Sequence, residues 1–280
     1  MIDSSIIFLL FLASCLSTPA RCVRVHKFSW DNVWPHGRVL YRFNPDYKGD
    51  RVHVIEAFHL LETLTCVRFV EVTEHHPSAH LRITSDPYCS SHVGRRPDIR
   101  GGQKLSLPAW CVRQGGFLSG VLHELLHAIG FGHEHCRLDR YDYVNVNWHG
   151  MESILWFAYE AKPDGHSLLN YSLPYDYSSV LHYGAWDNAR KPRVAPVLTP
   201  TRPGFSIQDP PLALSLLDVL KINSLYGCQD HLANQLSKCA DYVRHCQRFT
   251  FDDREQSRKD LCEASEYHRR VCRRTCKLCS

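Results

Sequence analysis

HELLHAIGFGHEHCRLDR runs from His123 to Arg140 and holds four histidines and two glutamates. Ser119 precedes GVLHELLHAIGFG, an apolar run of helical period that meets a glycine at position 130. His123 and His127 are four residues apart, so both imidazoles leave one face of a helix and can reach one ion. Glu124 lies between them in sequence but projects at a neighbouring angle. It is placed to take a proton from metal-bound water without becoming a ligand. Two ligands do not complete a zinc site. Gly130 lets the backbone leave the helix in a left-handed turn, and His133 then falls where it can supply a third nitrogen. Three neutral nitrogens leave one position open to water, as in a catalytic zinc site and unlike a structural one. The expected cofactor is therefore a single catalytic Zn2+ ion on His123, His127 and His133. In a chain with 18 histidines, any one of the three taken alone reads as a satisfied core residue. The HExxH spacing followed by the glycine and the third histidine is what carries the metal reading.

Working outward, residues 49–64 (GDRVHVIEAFHLLETL) place Val52, Ile55, Phe58, Leu61 and Leu64 at helical spacing. CVRFVEVT (66–73) and HLRIT (80–84) alternate apolar and polar residues as half-buried strands do, and GGQKLSL (101–107) is a further strand candidate. Past residue 140 periodicity fades into a long segment with scattered Pro, Gly, Tyr and Trp. A last helix is marked by LSLLDVLKINSLYG, where Ser215 and Asp218 form a capping box and Gly227 ends the element. Strands first and the motif helix afterwards predict an α+β catalytic domain. A polar linker, residues 230–238, follows it, and residues 239–280 form a Cys-dense tail.

The net charge of +4 is not evenly spread: the tail from Cys239 carries ten Lys/Arg against seven Asp/Glu. A nearly neutral body argues against nucleic acid as a partner. Residues 1–20 contain the apolar run Ile6–Leu12, too short to span a bilayer, followed by small residues ending in Ala20. They read as a secretory signal, and no second apolar stretch reaches spanning length. Thirteen cysteines fit an extracellular protein, and twelve remain if Cys15 leaves with the signal.

HELLHAIGFGHEHCRLDRYDYV resembles the signature of the astacin metalloendopeptidases within the metzincins. WPHGRVLYRF (34–43), LTCVRFVE (64–71), DYSSVLHY (176–183) and INSLYGC (222–228) match in the same order. The resemblance implies a two-lobed catalytic domain with a zinc cleft over residues 21–229, its prosegment very short or absent. It implies that Glu124 is general base and acid. Tyr183 becomes a switchable extra ligand that supports the oxyanion, although taken alone it reads as a core tyrosine. It also implies Glu134 near the mature amino terminus, disulfides Cys66–Cys228 and Cys89–Cys111, protein or peptide substrates, and acidic residues just after the cut. Leu181 stands where the family carries methionine beneath the zinc, Tyr141 where Asp is usual, and His135 where Gln is common. His135 is expected to be a solvated neighbour. IQDPPLALS (207–215) departs from the family pattern and lends no substrate-pocket residue.

Six cysteines, Cys239, Cys246, Cys262, Cys272, Cys276 and Cys279, occupy a tail too small to build a core unaided. Their spacing permits fifteen connectivities. The ending CRRTCKLC resembles the ShKT domain, which implies Cys239–Cys279, Cys246–Cys272 and Cys262–Cys276. Arg269, Arg270, Arg273, Arg274 and Lys277 form a basic cluster that reads as a solvated face or as a contact for acidic glycan or matrix. Cys22 and Cys136 are left over; they form a bridge, remain free thiols, or Cys22 is lost by trimming at Arg24. Asn170-Tyr-Ser is a glycosylation sequon. The whole reads as a secreted, monomeric zinc endopeptidase. The alternative is a binding or toxin-like protein acting through the tail with a weakened protease domain.

Overall fold

The computed structural model describes residues 28–113, 118–169, 171–191, 194–207 and 214–228. The signal, linker and Cys-dense tail, with Cys22, the six tail cysteines and Asn170, lie outside the described residues.

Strand β1, Arg38–Phe43, is one that alternation does not mark. It pairs in parallel with β2 (Arg68–Glu71) on one side and β3 (Leu81–Thr84) on the other. It buries Val39 and Tyr41 on one face and Arg42 on the other, while Arg38 is exposed. β3 pairs in parallel with β5 (Gln103–Ser106), and the two-residue β4 (Ser90–Ser91) closes the edge antiparallel to β5. The sheet order is β2-β1-β3-β5-β4. Helix α1, Arg51–Leu64, starts at Asp50, whose carboxylate accepts from the N–H groups of Val52 and His53 at 3.1 and 3.3 Å. It buries Val54, Ala57, Phe58, Leu60, Leu61 and Leu64; of the predicted stripe Phe58, Leu61 and Leu64 are buried and Ile55 is partly buried against the core, whereas Val52, in the first turn, is 64% exposed. Helix α2 covers Ala109–Arg113 and α3 covers Ser119–Ala128. α3 buries Val121, Leu122, Leu125, Leu126 and Ala128 in the same core as α1 and the sheet.

Beyond α3 the chain runs through short 3-10 turns, including Glu134–Cys136 and Ser153–Ala158, and the four-residue α4 (Gly165–Leu168). β6 (Val144–Val146) and β7 (Leu198–Pro200) pair antiparallel. This part has its own core of Val144, Met151, Tyr159, Tyr175, Tyr177, Val197 and Leu198. Tyrosine-rich packing of irregular backbone explains why no period is visible there. Helix α5, Leu216–Tyr226, returns to the first core through Val219, Ile222 and Leu225. The expected capping box is present: Ser215 Oγ accepts from Asp218 N at 2.9 Å, and Gly227 ends the helix at φ +68°. Mixed helix and sheet content matches the α+β expectation.

Cys66 joins Cys228 and Cys89 joins Cys111, with Cα–Cα distances of 5.4 and 6.0 Å. The first closes 162 residues, worth about 5 kcal/mol in the chain-entropy model. It ties the end of α1 to the end of α5. No helix among the described residues is long and apolar enough to cross a membrane.

Candidate metal centre

Three contacts fix the end of α3. Trp34 Nε1 donates to Ala128 O at 2.8 Å, Tyr226 Oη donates to Ile129 O at 2.7 Å, and Phe131 N donates to Leu126 O at 3.0 Å. Gly130 then turns the chain at φ +121°, where a Cβ would be strained and would meet Phe28 at 3.3 Å. Gly132 N donates to Asp164 Oδ2 at 2.6 Å and holds the outgoing chain. These contacts deliver His133 to the two histidines of the helix.

The three imidazoles converge. His123 Nε2 lies 3.1 Å from His127 Nε2, and each lies 3.2 Å from His133 Nε2. Four ligands at a Zn–N distance of about 2.05 Å in a tetrahedron stand about 3.3 Å apart, so the nitrogens fit the edges of a zinc polyhedron. Their protonation fits as well. His123 Nδ1 donates to Val180 O and His127 Nδ1 to Phe131 O, both at 2.7 Å, which leaves each Nε2 a bare lone pair. Burial lowers the pKa of all three rings: His127 falls to about 3 through burial and its neighbour His123, and His133 lies well below the usual range for the same reasons. Neutral rings with lone pairs aimed at one point repel one another unless a cation stands between them.

Glu124, on the same helix as His123 and His127, has a buried Oε2 with no hydrogen-bond partner among the described residues. Burial pushes its carboxyl up to about 8. Tyr183 packs its ring 4.5 Å from His133 and 4.3 Å from His135, and burial pushes its phenol up to about 12, so it is a protonated donor. Tyr183, His127 and His133 line one cavity of about 730 Å3.

Five residues singled out in the sequence are thus in one neighbourhood. His135 corrects an expectation: it is fully buried, not solvated, with Nε2 at 3.2 Å from Ala158 O and Nδ1 accepting from Tyr183 N at 3.4 Å. Cys136 is buried and has no disulfide partner among the described residues, and its Sγ lies 3.1 Å from Ala158 O. Leu181 is buried in the methionine position, and its carbonyl accepts from Glu134 N at 3.1 Å.

No local pattern in the chain announces the ionic cluster behind the third histidine. Glu134 is fully buried, with Arg137 Nη1 at 3.0 Å and Asp176 N at 2.9 Å on Oε1, and Lys221 Nζ at 2.7 Å on Oε2. His166 Nε2 lies 3.2 Å from Oε2, an ion-pair contact without good hydrogen-bond alignment. Burial alone would raise the Glu134 carboxyl, but Lys221, His166 and Arg137 hold it well below the usual range. Asp218, read only as a capping residue, also accepts from Ser179 Oγ at 2.6 Å and Val180 N at 3.0 Å. It thereby supports the carbonyl that orients His123. The partners Lys221 and His166 stand 87 and 32 residues from Glu134, so only their burial identifies them.

A model of the peptidase family described as Astacin matches residues 27–227. Zinc metalloproteinase nas-15 of Caenorhabditis elegans is 32% identical over 197 residues, covering 70% of this chain and 32% of that protein. Astacin-like metalloendopeptidase of Coturnix japonica is 37% identical over 210 residues, covering 70% of this chain and 46% of that protein. The chain therefore spans about a third to a half of the length of these relatives. The structure of high choriolytic enzyme 1, a hatching enzyme zinc-protease from Oryzias latipes, superimposes with a TM-score of 0.60 at 30% identity, over 72% of this chain and 97% of that one.

Proposed function

The chain belongs to the astacin family of peptidases, and we propose that it is a secreted zinc endopeptidase that hydrolyses internal peptide bonds of proteins. The observation that carries this reading is the set of three Nε2 atoms at mutual distances of 3.1 to 3.2 Å, two from the helix and one from the turn after it, beside a Glu124 oxygen with no hydrogen-bond partner among the described residues. His123, His127 and His133 would hold one zinc ion. When bound, zinc lowers the pKa of its water from about 16 towards about 7 and polarises a carbonyl.

The chain's own groups do the rest. Val180 O and Phe131 O hold the Nδ1–H groups of His123 and His127 and fix the ring orientations. Glu124 accepts the water proton at Oε2 and returns it to the departing amine nitrogen. Burial raises the proton affinity of this carboxyl above that of an exposed glutamate, which makes its ionised form a stronger acceptor beside the cation. Tyr183 keeps its proton and donates the O–H to the carbonyl oxygen as charge develops there. The cavity beside His127, His133 and Tyr183 receives substrate side chains.

The apolar run within residues 1–20 supports export, and the six tail cysteines with CRRTCKLC support an ShKT module over residues 239–280 after the linker 230–238. The basic cluster from Arg269 to Lys277 supports contact with acidic glycan or matrix, and we read the protein as a monomer. A toxin-like protein with a weakened protease domain is the poorer reading, because the ligand set, Glu124 and Tyr183 are all retained.

The test is cleavage of a denatured protein by the full chain. A zinc chelator abolishes cleavage and added zinc restores it, while Glu124→Ala binds one zinc per chain and lowers kcat by about 100-fold or more. A protein that carries no stoichiometric zinc, or a Glu124→Ala variant of undiminished activity, overturns the reading.

A further inference from the structure

Ser153–Ala158 reads SILWFA, and not one of its six residues is buried. Five apolar residues in a row ordinarily turn into a core. Here Ile154 is 78% exposed and Phe157 60% exposed. The segment is nonetheless fixed in place. Ala158 O accepts from Cys136 Sγ at 3.1 Å and His135 Nε2 at 3.2 Å, so its end is anchored on residues just past His133. Trp156 Nε1 donates to Trp148 O at 3.0 Å, and Lys162 Nζ donates to Phe157 O at 2.5 Å.

Leu155, Phe157 and Ala158 line the cavity that also contains His127, His133 and Tyr183. Four charged residues line it too: Arg96, Glu160, Lys162 and Asp164. The Arg96 guanidinium is held by both oxygens of Asp98 at 2.9 and 2.7 Å. Asp164 is engaged by His166 Nδ1 at 2.7 Å and Gly132 N at 2.6 Å. Lys162 is turned to the Phe157 carbonyl, and the exposed Glu160 adds a negative charge that disfavours an acidic guest. An anchored apolar wall beside the reacting centre, with its cations already engaged, selects an uncharged side chain.

We propose that Leu155 and Phe157 are specificity-determining residues that receive a large apolar side chain, aromatic or aliphatic, from the substrate residue next to the scissile bond. This rests on the endopeptidase reading and departs from the acidic preference that family resemblance implies.

The zinc-loaded full chain is tested on a peptide library with its cleavage sites sequenced. Phe, Tyr, Leu or Met is expected at one position flanking the cut. Phe157→Ser and Leu155→Ser each lower kcat/KM about 10-fold or more for those peptides, and leave peptides with Ala at that position within about twofold. Phe157 is 60% exposed, so Phe157→Ser keeps the wild-type thermal midpoint, whereas Leu155 also packs on the second core and its variant is read against its own thermal midpoint. A second readout needs no turnover. Binding of a Phe-containing library peptide to the metal-free chain, followed by fluorescence anisotropy, weakens about 10-fold in Phe157→Ser. Cleavage without an apolar preference, or a preference that survives both substitutions, overturns this inference alone. No cleavage by the zinc-loaded wild type overturns the endopeptidase reading and this inference with it.

Discussion

Replacing Lys221 with methionine leaves the carboxylate beside the third histidine without its closest cation. Lys221 Nζ is 2.7 Å from Glu134 Oε2, with the two side chains 3% and 1% exposed. Arg137 remains on Oε1, but Oε2 keeps only the poorly aligned contact from His166. Water cannot compensate at that depth. Breaking a buried pair by removing one partner costs about 3–5 kcal/mol, whereas an exposed pair is worth about 0–1 kcal/mol. For a domain of about 200 residues, the buried value lowers Tm by on the order of 10 °C. The effect is not confined to stability. Glu134 N donates to Leu181 O and Glu134 Oε1 accepts from Asp176 N, so the cluster joins the residue after His133 to the loop that ends in Tyr183. Zinc affinity should therefore fall together with Tm. Calorimetry of the zinc-loaded protein measures the loss of Tm, and competition with a chromophoric chelator measures the loss of affinity. The double variant Glu134→Gln/Lys221→Met should regain part of the loss, because no uncompensated charge is then buried. A single variant that melts within about 1 kcal/mol of wild type refutes the reasoning, since that is the value of a solvated pair.

The pH dependence follows from His166. Burial alone would lower its pKa, but Asp164 and Glu134 raise it from 6.5 to about 9. A raised histidine contributes stability that is complete below its unfolded value and disappears as pH rises through the folded one. Stability should thus fall by about 3 kcal/mol between pH 6.5 and about 9, and His166→Asn should flatten that slope in urea titrations. Leu181→Met conserves volume at a buried site, so its unfolding free energy should stay within about 1.5 kcal/mol of wild type; a larger change contradicts the packing seen around Leu181. Asp218→Asn weakens the support of Val180, whose carbonyl orients His123, and should lower zinc affinity about 10-fold or more by chelator competition. Unchanged affinity would remove Asp218 from the supporting set.

The ligand set is legible in the linear chain because its geometry is local. Residues four apart share a helix face, and a glycine permits the turn that brings a third ring back. Helix α1, the motif helix and α5 are legible for the same reason, since caps and apolar stripes act within a few residues. β1 is not, because Leu40 stands between Arg38 and Arg42 on the face opposite Val39 and Tyr41 and blurs the alternation in the linear chain. His135 departs from its expected exposure because burial depends on what packs over a residue, here Tyr159 and Tyr183. The Glu134–Lys221–His166–Arg137 cluster and the anchored apolar wall at Leu155 and Phe157 belong to tertiary structure alone. Coulomb attraction and cavity shape depend on distances in space, and residues 87 positions apart acquire a separation of 2.7 Å only when the chain has folded.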